Sequence, residues 1–219
     1  MKALVINTEY NCFCRELERH GYNIIPTKKI ETFLKPEQRH ADMQILPIKD
    51  RVFTLDTCVD PIGKNYPENV RLNCLYIGGG LYGRISAADA SVLDFCAKEG
   101  IECVDVKQGY TRCSALALND HAVITSDSSI QKALESGGAE VLRIKEGHIR
   151  LDGYDYGFIG GASFADDNTV FFFGNAKKHP DFEKIKAFCD KYHSEIEILC
   201  REEPLTDIGG AVIFSCFSN

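Results

Sequence analysis

The chain has 219 residues, 44% of them apolar and 26% charged, with a formal charge of −7. That length can bury a real core as one domain or two small ones, and no apolar run reaches the roughly 18 residues of a membrane span. The acidic balance offers no basic stripe to neutralise phosphates, so nucleic acid is not an expected partner, whereas a small cationic ligand suits it.

The opening Met-Lys-Ala-Leu-Val-Ile meets a charge at once and is too short an apolar stretch for a signal peptide. Residues 2–7 are therefore expected as a buried first strand in a cytoplasmic protein. A helix over 11–20 and a strand over 22–26 follow, then a polar connection over 28–39. His40 and Asp42 stand two apart and would share a face if extended. They lead into a hairpin of strands at 43–48 and 52–55 around a Lys49-Asp50 turn, and Pro61, Gly63 and Pro67 keep 56–68 irregular.

A strand over 70–77 ends at the bend Gly78-Gly79-Gly80. Ala88, Val92, Leu93, Phe95 and Cys96 have helical spacing over 87–99, closed by Gly100, and 101–106 returns as a strand. Gly109 then bends the chain into Cys113, at the mouth of an alternating strand over 114–118. After an Asn119-Asp120 turn comes a strand over 122–125, and Ser126 or Asp127 caps a helix that runs to Leu134, before a strand over 140–144. The plan repeats with strands at 162–164 and 170–173, a helix from Pro180 to about Tyr192, and a strand over 195–199. Asp207-Ile208-Gly209-Gly210 leads into a last strand over 211–214.

Strand, turn, strand, helix, strand therefore recurs, with units beginning near 43, 71, 114, 162 and 211. The last is completed by the N-terminal strand–helix–strand, and one unit yields its helix to the 56–68 loop. Five units of roughly 45 residues whose ends share one describe a closed ring around a channel, a single α/β domain over 1–219.

Ten cysteines without a Cys-x-x-Cys pair, or paired Cys/His spacing for zinc's about four ligands, predict reduced and mostly buried thiols. No metal or other cofactor is expected. Gly78-Gly79-Gly80 lacks dinucleotide-binding spacing, and His179-Pro180-Asp181 reads as a helix start.

Such a ring resembles the pentein fold of the guanidino-group-modifying enzymes. The stretches His-Ala-Asp-Met-Gln (40–44), Lys-Gln-Gly-Tyr-Thr-Arg-Cys-Ser (107–114), Tyr-Gly-Phe-Ile-Gly-Gly-Ala (156–162) and Asp-Ile-Gly-Gly (207–210) are similar to an uncharacterised bacterial branch of that superfamily. Tyr110 to Ser114 resembles the Gly-Pro-Arg-Cys-Met-Ser stretch of the family's deiminases and dimethylarginine hydrolases. His40-Ala41-Asp42 occupies the place of their His-Leu-Asp-like segment. Two units follow the Cys here, where the familiar enzymes end with theirs, so the resemblance implies a circularly permuted order. The family's Glu-Gly-Gly-Asp and its second acidic pair match only in their glycines, with Asp207 and Asp155 the nearest substitutes.

The resemblance implies that Cys113 attacks an amidine carbon, that His40 protonates the departing amine, and that Asp42 holds the cation by paired hydrogen bonds. Hydrolysis follows if water resolves the Cys-bound intermediate, amidino transfer if an amine does. Asn73, Asp207, Arg112 and Asp155 are candidate substrate-binding residues, although Asp207 also suits a turn before two glycines and Arg112 a surface charge or a clamp on a carboxylate. A non-catalytic ring used for binding stands beside this reading, because the fold also resembles a ribosome-binding anti-association factor.

Overall fold

The computed structural model describes residues 2–214. In chain order they form β1 (Ala3–Ile6), α1 (Asn11–Arg19), β2 (Asn23–Pro26), α2 (Ala41–Gln44), β3 (Ile45–Ile48), β4 (Arg51–Thr54), β5 (Leu75–Ile77), β6 (Gly80–Gly83), α3 (Ala90–Glu99) and β7 (Glu102–Asp105). The second half continues with β8 (Ala115–Asn119), β9 (Ala122–Thr125), α4 (Ser128–Ser136), β10 (Glu140–Arg143), β11 (Ser163–Asp166), β12 (Thr169–Asn175), α5 (Phe182–Lys191), β13 (Glu195–Pro204) and β14 (Ala211–Phe214).

Four sheets share one pattern: an antiparallel pair, then a parallel strand reached through a helix. They are β5-β6-β7, β8-β9-β10, β11-β12-β13 and β14-β1-β2, and β3-β4 is a lone hairpin. In the fourth, the antiparallel pair joins opposite ends of the chain, with Ala3 opposite Phe214 and Ile6 opposite Ala211. The expected strand over 70–77 is shorter, and Gly80–Gly83, of which only Gly80 was expected in the bend, is a fully buried strand that the sequence reading did not assign. Glycine has no side chain to pack and carries no periodic signal, so alternation cannot reveal such a strand.

Each of the longer helices α1, α3, α4 and α5 lays an apolar stripe on its sheet, as the 3.6-residue period requires. Phe13, Cys14 and Leu17 do this in α1, and Phe182, Ile185, Phe188 and Cys189 in α5. Asp127 caps α4 by accepting from the Ser129 and Ile130 N–H groups, and Asp89 caps α3 from Ser91. Each such cap contributes about 1 kcal/mol. Gly100 ends α3 in the left-handed conformation, as the sequence indicates.

The core is a series of clusters, each bridging two neighbouring units. Leu116 and Ile124 pack on Phe172 and Ile185; Leu75 and Tyr82 on Val123 and Ile130; Leu46 and Phe53 on Leu81 and Val92. Leu4 and Phe13 pack on Phe164 and Phe173, and Val5 and Val212 meet Ala41. First strands adjoin in the order β3, β5, β8, β11, β14, with α2 touching both β14 and β3. The sheets remain separate, each an open sheet held by its own hydrogen bonds. Among the described residues no helix is long and apolar enough to cross a membrane.

Candidate active site

Five chain segments, each just before the first strand of its unit, are tied to one another by hydrogen bonds. The Asp42 N–H donates to the Gly209 carbonyl (3.0 Å), the Gly210 N–H to Gly161 (2.8 Å), and the Gly161 N–H to Cys113 (2.9 Å). The circuit is completed by Asn73. Its Oδ1 accepts from the N–H groups of Arg112 (3.0 Å) and Cys113 (3.3 Å), and its Nδ2 donates to the Asp42 carbonyl (3.1 Å). Gly209 and Gly161 are required here. A Cβ on Gly209 would strike the backbone and ring of His40, at a φ of +84°, and one on Gly161 would strike the Asp207 carboxylate.

His40 and Asp42 do not lie on an extended strand as their spacing suggested. Residues 41–44 make a single helical turn, with His40 in extended backbone at its N-terminal boundary. The turn still brings both side chains to Cys113: one ligand atom from each of His40, Asp42 and Cys113 lies within 4.8 Å of the others. The same three donors could hold a metal ion, once the thiol gave up its proton. Sequence spacing does not show this grouping, because the sulfur comes from a different unit than the imidazole and carboxylate.

All three residues are buried, at 3%, 2% and 2% exposure respectively. His40 Nδ1 lies 3.9 Å from Asp42 Oδ1 and 4.0 Å from Asp207 Oδ1. Asp207 is held by backbone donors, Oδ2 accepting from Phe158 (2.9 Å) and Oδ1 from Gly209 (2.9 Å). The two Asp42 oxygens have no hydrogen-bond partner among the described residues. Burial, opposed by His40, raises the Asp42 carboxyl to about 6. Burial also raises Asp207, against the pull of His40 and the two backbone donors.

The Cys113 thiol is pushed well above its ordinary range by burial and then by the charges of Asp42 and Asp207, while the Asn73 amide opposes them. That amide donates to the sulfur from 3.0 Å. Asn73 therefore contacts the nucleophile candidate itself.

A cavity of about 240 Å³ opens over Cys113, His40 and Asp207. Its wall includes Tyr110, Tyr154 and Phe158, with Asp155 exposed at the rim. Glu37, which the sequence did not single out, also lines it. Its buried carboxylate accepts from the hydroxyls of Tyr154 (2.5 Å) and Tyr110 (3.2 Å) and from Asn69 (3.1 Å), fixing two walls at once. Nothing in a Lys-Pro-Glu turn within a polar connection distinguishes that residue.

Arg112 lies on the other side. Its guanidinium donates to the Ile45 carbonyl (2.9 Å) and more weakly to that of Ala211 (3.5 Å). With Asp42 it lines a second cavity of about 210 Å³. Asp42 lines this second hollow, whereas Cys113 and His40 line the first. The nine cysteines among the described residues are all unpaired, and Cys12 is the exposed one.

A family model described as "Family of unknown function (DUF6873)" matches residues 53–212. No curated protein matches the sequence. Among solved structures, a dimethylarginine dimethylaminohydrolase mutant as an adduct with S-methyl-L-thiocitrulline superposes with a TM-score of 0.60 at 11% identity, over 97% of this chain and 99% of that one. The enzyme from Pseudomonas aeruginosa, a mutant complexed with citrulline, gives 0.59 at 10% identity over 97% and 98%. These proteins are members of the pentein superfamily, and the likeness is one of fold.

Proposed function

The chain belongs to DUF6873, a family of unknown function, and we propose that it is a thiol-dependent hydrolase or amidinotransferase acting on a small guanidine or amidine. The observation that carries this reading is the convergence of Cys113, His40 and the unpartnered carboxylate of Asp42, with Cys113 and His40 opening onto an aromatic-walled cavity.

Two buried acids beside a thiol leave the site short of positive charge. A guanidinium seated there would offset both carboxylates and favour the thiolate over the thiol. In the proposed sequence, the Cys113 proton passes to His40 and the sulfur attacks the amidine carbon. The tetrahedral adduct then collapses as His40 returns the proton to the leaving amine. Water, deprotonated by His40, attacks the S-bound carbon, and the thiolate departs as the product forms; an amine in place of water gives transfer. Asp207 flanks the bound cation, Asp42 supplies charge beside the sulfur, and the Asn73 N–H steadies the thiolate. Arg112 is assigned to holding Asp42's side of the site, away from substrate.

The architecture proposed with this chemistry is one domain over 1–219, a five-fold pseudo-symmetric ring of ββαβ units whose two ends share a unit. The cyclic order of adjoining first strands and the hydrogen-bond circuit through residues 42, 73, 113, 161 and 209 support it. A circularly permuted order relative to the family's familiar enzymes is part of the same reading, supported by the two units that follow Cys113.

Burial of Cys113 and its raised thiol favour the second reading, a non-catalytic pentein-fold binding protein. Incubation with a panel of guanidines and amidines, followed by acid quench and intact mass measurement, separates the two. The enzyme reading expects released amine and a covalent adduct that maps to Cys113 and is absent from Cys113→Ser. Binding without adduct or amine release, across the panel, assigns the scaffold.

A further inference from the structure

Resting on the proposed chemistry at Cys113, we infer that the site selects guanidines or amidines that carry no carboxylate, and so differs in ligand class from the citrulline-bound neighbours. Citrulline and S-methyl-L-thiocitrulline, the ligands of two structural neighbours, are amino acids, each bearing a carboxylate at the end remote from its urea or isothiourea group. A cavity that accepts such a molecule needs a cation or a cluster of free donors for that end.

This cavity supplies neither. Among the described residues its lining includes three acids, Glu37, Asp155 and Asp207, and no lysine or arginine. Arg150, at the start of the segment that builds the wall, directs its guanidinium at Asp152 (2.8 and 3.0 Å). The hydroxyls of Tyr110 and Tyr154 are already committed to Glu37, and that of Tyr156 is directed at Glu146 (3.4 Å).

What the cavity offers instead is aromatic surface. Tyr110, Tyr154, Tyr156 and Phe158 line it, and Tyr110 stacks on Phe158 at 6.2 Å between ring centroids. Such a wall receives an apolar or cationic stem through dispersion and cation–π attraction. A carboxylate on the same stem would be brought out of water beside Asp155, where like charges repel and nothing compensates.

Three ligands of matched stem test this: butylguanidine, guanidinobutyramide and guanidinobutyrate. The readout is the concentration of each that halves the rate at which chloroacetamidine alkylates Cys113 in the intact protein. We expect butylguanidine and the amide to protect at concentrations about tenfold lower than guanidinobutyrate. We also expect Asp155→Lys to narrow that gap by about threefold or more, by placing a cation at the rim. Protection by guanidinobutyrate equal to or better than by butylguanidine overturns the inference and leaves the enzyme reading intact. Protection by none of the three overturns the guanidinium site itself, and the selectivity with it.

Discussion

Asp42 sits in a place that costs the fold stability. Its carboxyl is raised to about 6 by burial, against about 3.9 in an unfolded chain. Below about pH 4 the group is protonated in both states and contributes nothing to the difference. Between about pH 4 and 6 the unfolded chain releases its proton while the folded one keeps it, so stability falls as pH rises through that window. By neutral pH the cost is on the order of 3 kcal/mol. Asp42→Asn removes it: thermal melts should show the variant gaining stability over the parent between about pH 4 and 6, with no gain below. The same variant should lose protection of Cys113 by guanidines. A variant equally or less stable at neutral pH would show that the ionised carboxylate is compensated within the fold.

At the sulfur, Asn73→Asp exchanges an N–H donor for a third carboxylate. The thiol is then held further above its ordinary range, and alkylation of Cys113 should slow by about tenfold or more, with little change in far-UV circular dichroism. An unchanged rate would mean that the amide plays no part in stabilising the thiolate.

Among the elements, α2 and the turn at 207–210 position the imidazole jointly, because Gly209 leaves no room for a side chain against His40. Gly209→Ala also forces a Cβ into the left-handed region, at about 1–3 kcal/mol for the backbone alone. The expected outcome is a loss of at least that much in denaturant melts, together with loss of Cys113 selectivity. The sequence revealed these elements unevenly. Amphipathic helices with caps, such as α3 and α4, were legible because period and punctuation agree. The turn at 41–44 was not, since one turn of helix is too short to show a 3.6-residue period and an alternating strand reading fits His40 and Asp42 as well. Glu37 was invisible for a different reason: its importance lies in the tyrosines at 110 and 154 that it holds, far along the chain.

At the scale of the molecule, units of similar length made the repeat readable, and the glycine pairs at 160–161 and 209–210 marked where units begin. The closing of the circuit was less so. The repeat count implied that the ends share a unit, but the particular contacts, β14 pairing with β1 and Val5 and Val212 meeting Ala41, join opposite ends and are not encoded in local pattern. If the ring is closed in this way, removing residues 211–219 exposes the edge of β1 and opens two unit boundaries. Calorimetry should then show loss of the cooperative transition rather than a small shift in Tm, given that each buried Val or Ile contributes about 1.5–3 kcal/mol. A truncated chain that still melts as one sharp transition would argue that the ends are dispensable.

The central claim is that a buried thiol has been placed for guanidinium chemistry. Among the cysteines of the described residues, accessibility alone would direct an alkylating reagent to Cys12, the exposed one, and away from Cys113. The most direct measurement is peptide mapping after brief treatment with chloroacetamidine, whose cation mimics the proposed substrate, beside neutral iodoacetamide as reference. Chloroacetamidine should modify Cys113 first and iodoacetamide Cys12 first, with excess guanidine slowing only the former. Modification of Cys12 ahead of Cys113 by both reagents, unaffected by guanidine, would contradict that claim.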